Sequence, residues 1–252
     1  MKNVILSVRS LEVRTLSRAI LGGVSFELQE SELVSVVGPS GSGKSTLLRA
    51  LNRLAGETPG LMVSGEVLYH GQNIFSCCRV HELRKNIGML FQKPCVYPGS
   101  ILRNVLFGVK HHQKLNAKLA ADISERSLRK AHLWEEVKDR LHHPAFELSM
   151  GQKQRLCFAR LLAVDPEILL LDEPTANLDP HSTLEIEKTL MELKDSKSII
   201  LVTHLLSQAR RLSDRVIMIS AASGTGIIVE DGSAAEFFEN PKALETQAYL
   251  KS

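Results

Sequence analysis

Apolar positions change their spacing twice along this chain, and each change marks a different kind of element. Near the start they are strand-like. Ile5, Val8, Leu11 and Val13 share one segment, and Val24-Ser25-Phe26-Glu27-Leu28 alternates with a period of two. Leu33-Val34-Ser35-Val36-Val37 is an apolar run, Gly65 to Gly71 predicts a short strand ending in a turn glycine, and Ile87 to Phe91 predicts a buried strand. From Ser100 to about Ala163 the spacing becomes helical, with Leu115, Leu119 and Ile123 and then Leu128, Ala131 and Leu133. Strands then return. Ile168 to Leu171 and Ser198 to Val202 are the near-continuous apolar runs of parallel strands covered on both faces. Thr183 to Leu193 predicts a helix through Leu184, Ile186, Leu190 and Leu193, and Val216 to Ile219 and Gly226 to Val229 predict two last strands around a small, polar hairpin loop. Phe237, Phe238, Leu244, Tyr249 and Leu250 predict a C-terminal helix packed on the core. Strands alternating with helices imply an α/β protein with a parallel core, interrupted by a helical insertion.

The turn after Val37 carries the chemistry. Gly38-Pro39-Ser40-Gly41-Ser42-Gly43-Lys44-Ser45 is a complete phosphate-binding loop, and it stands between an apolar strand and a helical stretch that opens at Thr46. Its glycines let the backbone curl so that N–H groups face a polyphosphate at a helix N-terminus. Lys44 supplies charge for the β- and γ-phosphates, and the Ser45 hydroxyl helps to hold Mg²⁺. The chain is therefore expected to bind a nucleoside triphosphate.

Two further features bear on the reaction. The strand Ile168 to Leu171 ends in Asp172-Glu173. Asp172 is placed to hold Mg²⁺ opposite Ser45, and Glu173 to orient or deprotonate an attacking water. Alone, two acids at a strand end read more readily as a solvated terminus; the loop upstream turns the reading to catalysis. His204 follows the apolar strand 199–202, at the carboxyl end of a buried strand where ligands gather in open α/β sheets, and predicts a γ-phosphate contact. Gln92, just after the strand 87–91, is a neutral amide able to reach Mg²⁺ or water.

Composition narrows the setting. The 252 residues carry a formal net charge of +3, too balanced to argue for nucleic acid. Cys77, Cys78, Cys95 and Cys157 have no C-x-x-C spacing, so neither a zinc site nor a disulfide framework is expected; Cys77-Cys78 reads as two ordinary thiols. His111-His112 and His142-His143 lack supporting metal ligands and read as surface helix ends. No apolar run is long enough to cross a bilayer, and the start lacks a signal-peptide pattern, so any membrane role is expected to come through a partner.

With these parts in order, the chain resembles the ATP-binding subunit of ABC transporters. The residues that carry the likeness are Gly38 to Ser45, Gln92, Leu148-Ser149-Met150-Gly151-Gln152, Leu171-Asp172-Glu173, Ala176-Asn177-Leu178-Asp179 and His204. Within the family the chain is most similar to the phosphate-importing ATPases, through Phe91 to Pro94, Pro98, Ser100-Ile101, Asn104, Phe107 to Val109, Leu133-Trp134, Glu136 to Asp139 and Gln154 to Arg160. The resemblance implies a P-loop NTPase (RecA-like) core with an N-terminal antiparallel β subdomain over 1–92 and 165–252, and a helical signature subdomain over 93–164. It implies two ATPs with Mg²⁺ at a head-to-tail dimer interface. Each ATP is held by one subunit's phosphate loop and by Ser149, Gly151 and Gln152 of the other, with Asp179 in the loop that links the two sites. It also implies transmembrane permease partners, a solute-binding protein further out, and a peripheral location on the cytoplasmic face of the cell inner membrane.

The chain departs from the family pattern twice. Met150 stands where the signature usually has a second glycine, which predicts either a side chain turned away from ATP or slower turnover. Near Arg14-Thr15 the aromatic residue that often stacks on adenine is missing, so Arg14 is either a stacking guanidinium or a solvated side chain. Cys95 to Pro98 reads as a surface gripping a permease helix or as a buried turn. Import of another solute and a non-transport ABC ATPase remain open, whereas a kinase or GTPase does not account for the ordered signature, strand-end acids and late histidine.

Overall fold

The computed structural model describes residues 3–76 and 79–251, and Cys77 and Cys78 lie outside them. The chain divides into two compact units. The first holds residues up to Met89, Glu167–Asp172 and Lys194 onward; the second holds Leu90–Pro166 and Glu173–Leu193. Residues 173–193 thus group with the helical unit, not with the segments 1–92 and 165–252.

The first unit contains two sheets. The antiparallel one has the order β2-β1-β4-β5, built from β1 (Val4–Arg14), β2 (Ala19–Gln29), β4 (Met62–Tyr69) and β5 (Gln72–Asn73). The other has the order β10-β9-β3-β8-β7-β6, from β3 (Leu33–Val37), β6 (Ile87–Leu90), β7 (Ile168–Asp172), β8 (Ser198–Val202), β9 (Arg215–Ser220) and β10 (Ile227–Ser233). Strands β7, β8, β3 and β9 run parallel, and every residue of β3, β7 and β8 is buried, as their unbroken apolar runs require.

Helix α1 (Lys44–Leu51) buries Leu47, Leu48, Ala50 and Leu51 in one core with Val8 and Leu11 of β1, Val34 and Val36 of β3 and Leu170 of β7. The short α2 (Val80–Asn86) adds Leu83 to the same core. A second cluster gathers Val37, Met218 and Phe237, contributed in part by α10 (Ala234–Glu239), with α9 (Leu206–Leu212) adding Ala209 and α11 (Leu244–Leu250) adding Tyr249 and Leu250. Leu244 breaks from the expected packing: it sits in the first turn of α11 and is largely exposed.

The second unit is helical: α3 (Ile101–Val105), α4 (Val109–His112), α5 (Ala117–Lys130), α6 (Trp134–Val137), α7 (Met150–Ala163) and α8 (Pro180–Leu193). Helix α7 is its axis, packing against α3, α5 and α8, with Leu156 and Phe158 fully buried. Of the apolar positions expected to face inward, Ile123, Leu128, Ala131, Leu133, Ile186, Leu190 and Leu193 do so. Leu119 and Leu184 do not; each lies near the start of its helix, on the open face.

The uneven spacing of Ile5, Val8, Leu11 and Val13 has a structural cause. The pairing of β1 with β2 shifts between Val8 and Leu11, that with β4 shifts between Arg9 and Glu12, and Ser10 between them takes a left-handed φ of 46°. Gly65 of β4 makes room for this bulge: its φ is +92°, and a Cβ there would lie 2.3 Å from the Ser10 carbonyl oxygen. Gly65→Ala is expected to lower unfolding free energy by about 2–3 kcal/mol, combining left-handed strain with a backbone clash. Urea denaturation followed by circular dichroism measures it, and an unchanged midpoint would mean the bulge yields at no cost.

Candidate functional site

Parallel register sets up the first cluster. In the order β3-β8-β7, Val36 pairs with Val202 and Val202 with Asp172, so the three strands end together. The phosphate loop leaves β3 after Val37, Asp172 is the last residue of β7, and His204 stands two residues beyond β8, exposed. Thr203, between β8 and His204, donates its N–H to the Val36 carbonyl at 3.4 Å and so holds that exit against β3.

The loop itself is held from below. Gly38 has φ +140°, and a Cβ there would lie 2.0 Å from the Ile219 carbonyl oxygen of β9, so only glycine lets the loop start so close to the sheet. Gly43 has φ +97° and is the N-cap of α1; a Cβ there would strike the Leu21 side chain at 2.5 Å. Gly41, between them, opens onto free space, and Pro39 and Ser40 are exposed. Lys44 is buried and its Nζ donates to the carbonyls of Gly38 and Pro39, both at 2.8 Å, which folds the ammonium over the loop. Ser45 Oγ donates to Asp172 Oδ1 at 2.8 Å, joining the first turn of α1 to the end of β7. Thr46, next in that turn, is half-buried.

These features fit a Mg²⁺-bound polyphosphate. A hydroxyl beside a strand-end carboxylate is a hard oxygen pair of the kind Mg²⁺ takes. Ser42 Oγ is buried and has no hydrogen-bond partner among the described residues. An orphaned donor inside a ring of curled glycines suits an anion.

The second cluster lies in the helical unit. Gln92 Nε2 donates to Glu173 Oε2 at 2.7 Å, and Glu173 has a left-handed φ of 45° at the turn that follows β7. Gln154 of α7 donates to the Phe91 carbonyl at 3.1 Å, fixing the residue just before Gln92. Ser149 is the N-cap of α7 in a reciprocal capping box: Gln152 N–H reaches Ser149 Oγ at 3.3 Å, and Ser149 N–H reaches Gln152 Oε1 at 3.0 Å.

Gly151 is buried against the start of α8. A Cβ at this position would lie 2.0 Å from Ser182 Oγ and 3.2 Å from Asp179 Oδ2. Asp179 Oδ1 accepts from the Ser182 N–H at 2.9 Å, and that backbone hydrogen bond leads the effects holding its carboxyl below the ordinary range. Met150 is the first residue of α7 and is 57% exposed. It is absent from the residues with positive φ, so the backbone has no need of a glycine there.

Sequence reasoning gave Glu136 no role beyond family likeness, yet it anchors this cluster. Its carboxylate accepts from Gln152 Nε2 at 2.7 Å and from Arg155 Nη1 at 2.5 Å, and the same Arg155 nitrogen donates to the His132 carbonyl at 2.6 Å. Arg155 is buried. Burial works to raise the Glu136 carboxyl, and the hydrogen bonds from Arg155 and Gln152 overcome it, leaving the group below the usual carboxylate range. Glu136 precedes its partners by 16 and 19 residues, so no short motif announces the pair.

Two further segments take defined conformations. Thr15 closes a turn, donating its N–H to the Arg18 carbonyl at 2.8 Å and accepting from the Arg18 N–H at 3.0 Å, while Arg14 is exposed at the end of β1. Cys95, Tyr97 and Pro98 are exposed, so the stretch is no buried turn. The Tyr97 backbone is clamped by Asn104, whose Oδ1 accepts from its N–H at 2.8 Å and whose Nδ2 donates to its carbonyl at 3.0 Å. The Arg160 guanidinium lies 4.4 Å from the centre of the Tyr97 ring.

Known proteins resemble the chain over nearly its whole length. Residues 21–176 match the family described as ABC transporter. The chain is 42% identical over 250 residues to the phosphate import ATP-binding protein PstB of Desulfitobacterium hafniense (strain Y51), covering 99% of this chain and 95% of that one. It is 44% identical over 247 residues to phosphate import ATP-binding protein PstB 1 of Streptococcus mutans serotype c, covering 98% and 96%. Among solved structures, cbiO1 from Clostridium perfringens, part of the ABC transporter complex cbiONQ, superposes with a TM-score of 0.79 at 28% identity, over 95% of this chain and 92% of that one. A bacterial Atm1-family ABC exporter with ATP bound gives a TM-score of 0.82 at 25% identity, over 100% of this chain and 42% of the exporter. Because the likeness runs from end to end and takes in the residues of both clusters, we conclude that this chain belongs to the ABC transporter family.

Proposed function

We propose that the chain is the ATP-hydrolysing subunit of a phosphate importer. The observation that carries the ATPase reading is the Ser45–Asp172 hydrogen bond beneath a glycine loop whose lysine is folded over it. Phosphate as the solute is supported by identity above 40% with phosphate import proteins over nearly the whole chain.

In this reading the backbone N–H groups of residues 38–46, apart from Pro39 which has none, cradle the β- and γ-phosphates, and Lys44 swings from its own loop's carbonyls to balance their charge. Ser45, Asp172 and Gln92 would hold Mg²⁺, which would supply neutralising charge to the polyphosphate. Glu173 accepts the proton of the attacking water, and Gln92, hydrogen-bonded to Glu173, helps to orient it. His204 steadies the γ-phosphate and water in line. Ser149, Gly151 and Gln152 meet the γ-phosphate of a second subunit at the N-terminus of α7, where a helix favours negative charge, and Asp179 lies in the loop linking the two sites.

Closing of two such subunits on ATP, and reopening after hydrolysis, drives transmembrane permeases. No helix among the described residues is long and apolar enough to cross a membrane. In the same reading, supported by likeness to phosphate import ATP-binding proteins, the chain sits peripherally on the cytoplasmic face of the inner membrane, with a phosphate-binding protein acting on the far side. The exposed loop Cys95–Pro98, braced by Asn104 and Arg160, is the surface assigned to the permease.

Glu173→Gln is expected to keep ATP affinity, trap a closed dimer and cut turnover roughly 100-fold or more. Gel filtration with ATP and a phosphate-release assay measure this, and full hydrolysis would remove Glu173 as the base. Lys44→Ala removes charge-assisted hydrogen bonds to the phosphates, so nucleotide affinity is expected to fall roughly 10- to 100-fold; unchanged affinity in a fluorescent-ATP titration would contradict its role. Because Met150 is exposed on an ordinary helical backbone, Met150→Gly is expected to leave ATP turnover within about twofold. A larger rise would show that methionine slows the motor. Reconstitution with the permeases tests the solute, which is expected to be phosphate accumulated at the expense of ATP.

A further inference from the structure

The nucleotide chemistry leaves one charged region unused. No Asp or Glu occurs between Glu82 and Asp122, while Lys93, Arg103, Lys110, Lys114 and Lys118 fall in the part of that stretch that belongs to the helical unit. Within Lys110 to Leu119 every residue is exposed except the half-buried Leu115, and burial resumes only at Ile123. The segment is held in shape: Gln113 N–H closes α4 on the Val109 carbonyl at 3.0 Å, and Asn116 Oδ1 caps α5 by accepting from the Leu119 N–H at 2.8 Å. Residues 110–115 ring a shallow concavity whose lining includes two lysines and two histidines and no acid.

Helix electrostatics accounts for only part of this charge. Lys110, His111 and His112 lie in the last turn of α4, where cations are favoured. Lys118 lies in the first turn of α5, a turn without any acidic residue, where a cation opposes the helix dipole. Lys118 is exposed, and the first carboxylate, Asp122, comes one turn later in α5. Apolar side chains accompany the cations. Phe107 is 41% exposed, its ring 4.3 Å from that of Tyr97 and 5.2 Å from that of His111, and Leu119 is exposed as well. Cations beside exposed aromatic and aliphatic groups match a lipid headgroup region, where phosphates meet the first acyl carbons.

We propose that this face, from Phe107 through Lys110, Lys114 and Lys118 to Leu119, binds an anionic lipid surface directly. The inference rests on the proposed permease contact only for orientation: the Tyr97–Phe107 ring contact joins the basic face to the loop assigned to the permease, which lies at the membrane. An anionic leaflet supplies the charge complement of a stretch that carries no acid between Glu82 and Asp122.

The test uses the isolated full chain and vesicles of phosphatidylcholine with or without phosphatidylglycerol, read by co-sedimentation at low and high salt. Binding is expected to the phosphatidylglycerol vesicles alone and to weaken with salt. The triple variant Lys110→Glu, Lys114→Glu and Lys118→Glu is expected to bind roughly 100-fold more weakly, and Lys114→Gln with Lys118→Gln roughly 10-fold more weakly. Both are expected to hydrolyse ATP in solution at the wild-type rate, which shows that they are folded. Equal binding to the two vesicle types, no binding to either, or unaltered binding by both variants would overturn the proposal, as would capture of soluble polyglutamate in preference to vesicles. The vesicles hold no permease and ATP hydrolysis is measured on the same preparation, so failure here leaves the ATPase reading standing, and loss of ATPase activity leaves the lipid result readable.

Discussion

The first unit depends on the parallel register of β3, β8 and β7. Because Val36, Val202 and Asp172 pair in one row, the loop after β3 and the acid at the end of β7 emerge at the same edge, with β8 between them. Only then can Ser45, in the first turn of α1, reach Asp172 across the intervening strand. A one-residue slip would turn every side chain of the slipped strand to its other face. The unbroken apolar runs make the strands stable in a double-covered sheet, and the core that buries α1 against β1 and β4 locks the helix whose N-terminus faces the loop.

The second unit depends on a charge pair rather than on a sheet. Arg155, buried in α7, is balanced by Glu136, which in turn holds the Gln152 side chain that closes the capping box with Ser149. Removing one partner would leave the other charge desolvated, a cost of about 3–5 kcal/mol for buried pairs and less here because Glu136 is partly solvated. The signature segment is thereby tied to α6 at its start and to α8 through the close approach of Gly151 and Ser182. The segment is thereby fixed in advance of any encounter with a ligand, since its ordering cost is already met in the folded subunit.

Legibility followed the range of the interaction. The phosphate-loop motif and Asp172-Glu173 are local, written in adjacent residues, and stood out directly; the Ser149–Gln152 capping box is as local, but its segment entered only through the family likeness. The strands β3, β7 and β8 were equally plain because full burial demands unbroken apolar runs. The bulge in β1 was visible as the uneven spacing of Ile5, Val8, Leu11 and Val13, but its cause, Gly65 on the neighbouring strand, was not. Leu119, Leu184 and Leu244 kept helical spacing yet lie exposed, since periodicity identifies a helix without saying whether another element covers each of its turns.

By itself, then, the amino-acid order determined the elements, the nucleotide loop, the strand-end acids and the family. Those features arise from local backbone preferences and from motifs contiguous along the chain. Tertiary structure alone decided that Glu136 anchors the signature helix, that Met150 points outward while its neighbour Gly151 is the residue no side chain could replace, and that a cationic, partly aromatic face is left uncovered. These depend on which distant segments come within a few ångströms of one another, and a contact between residues far apart in the chain has no fixed spacing to betray it.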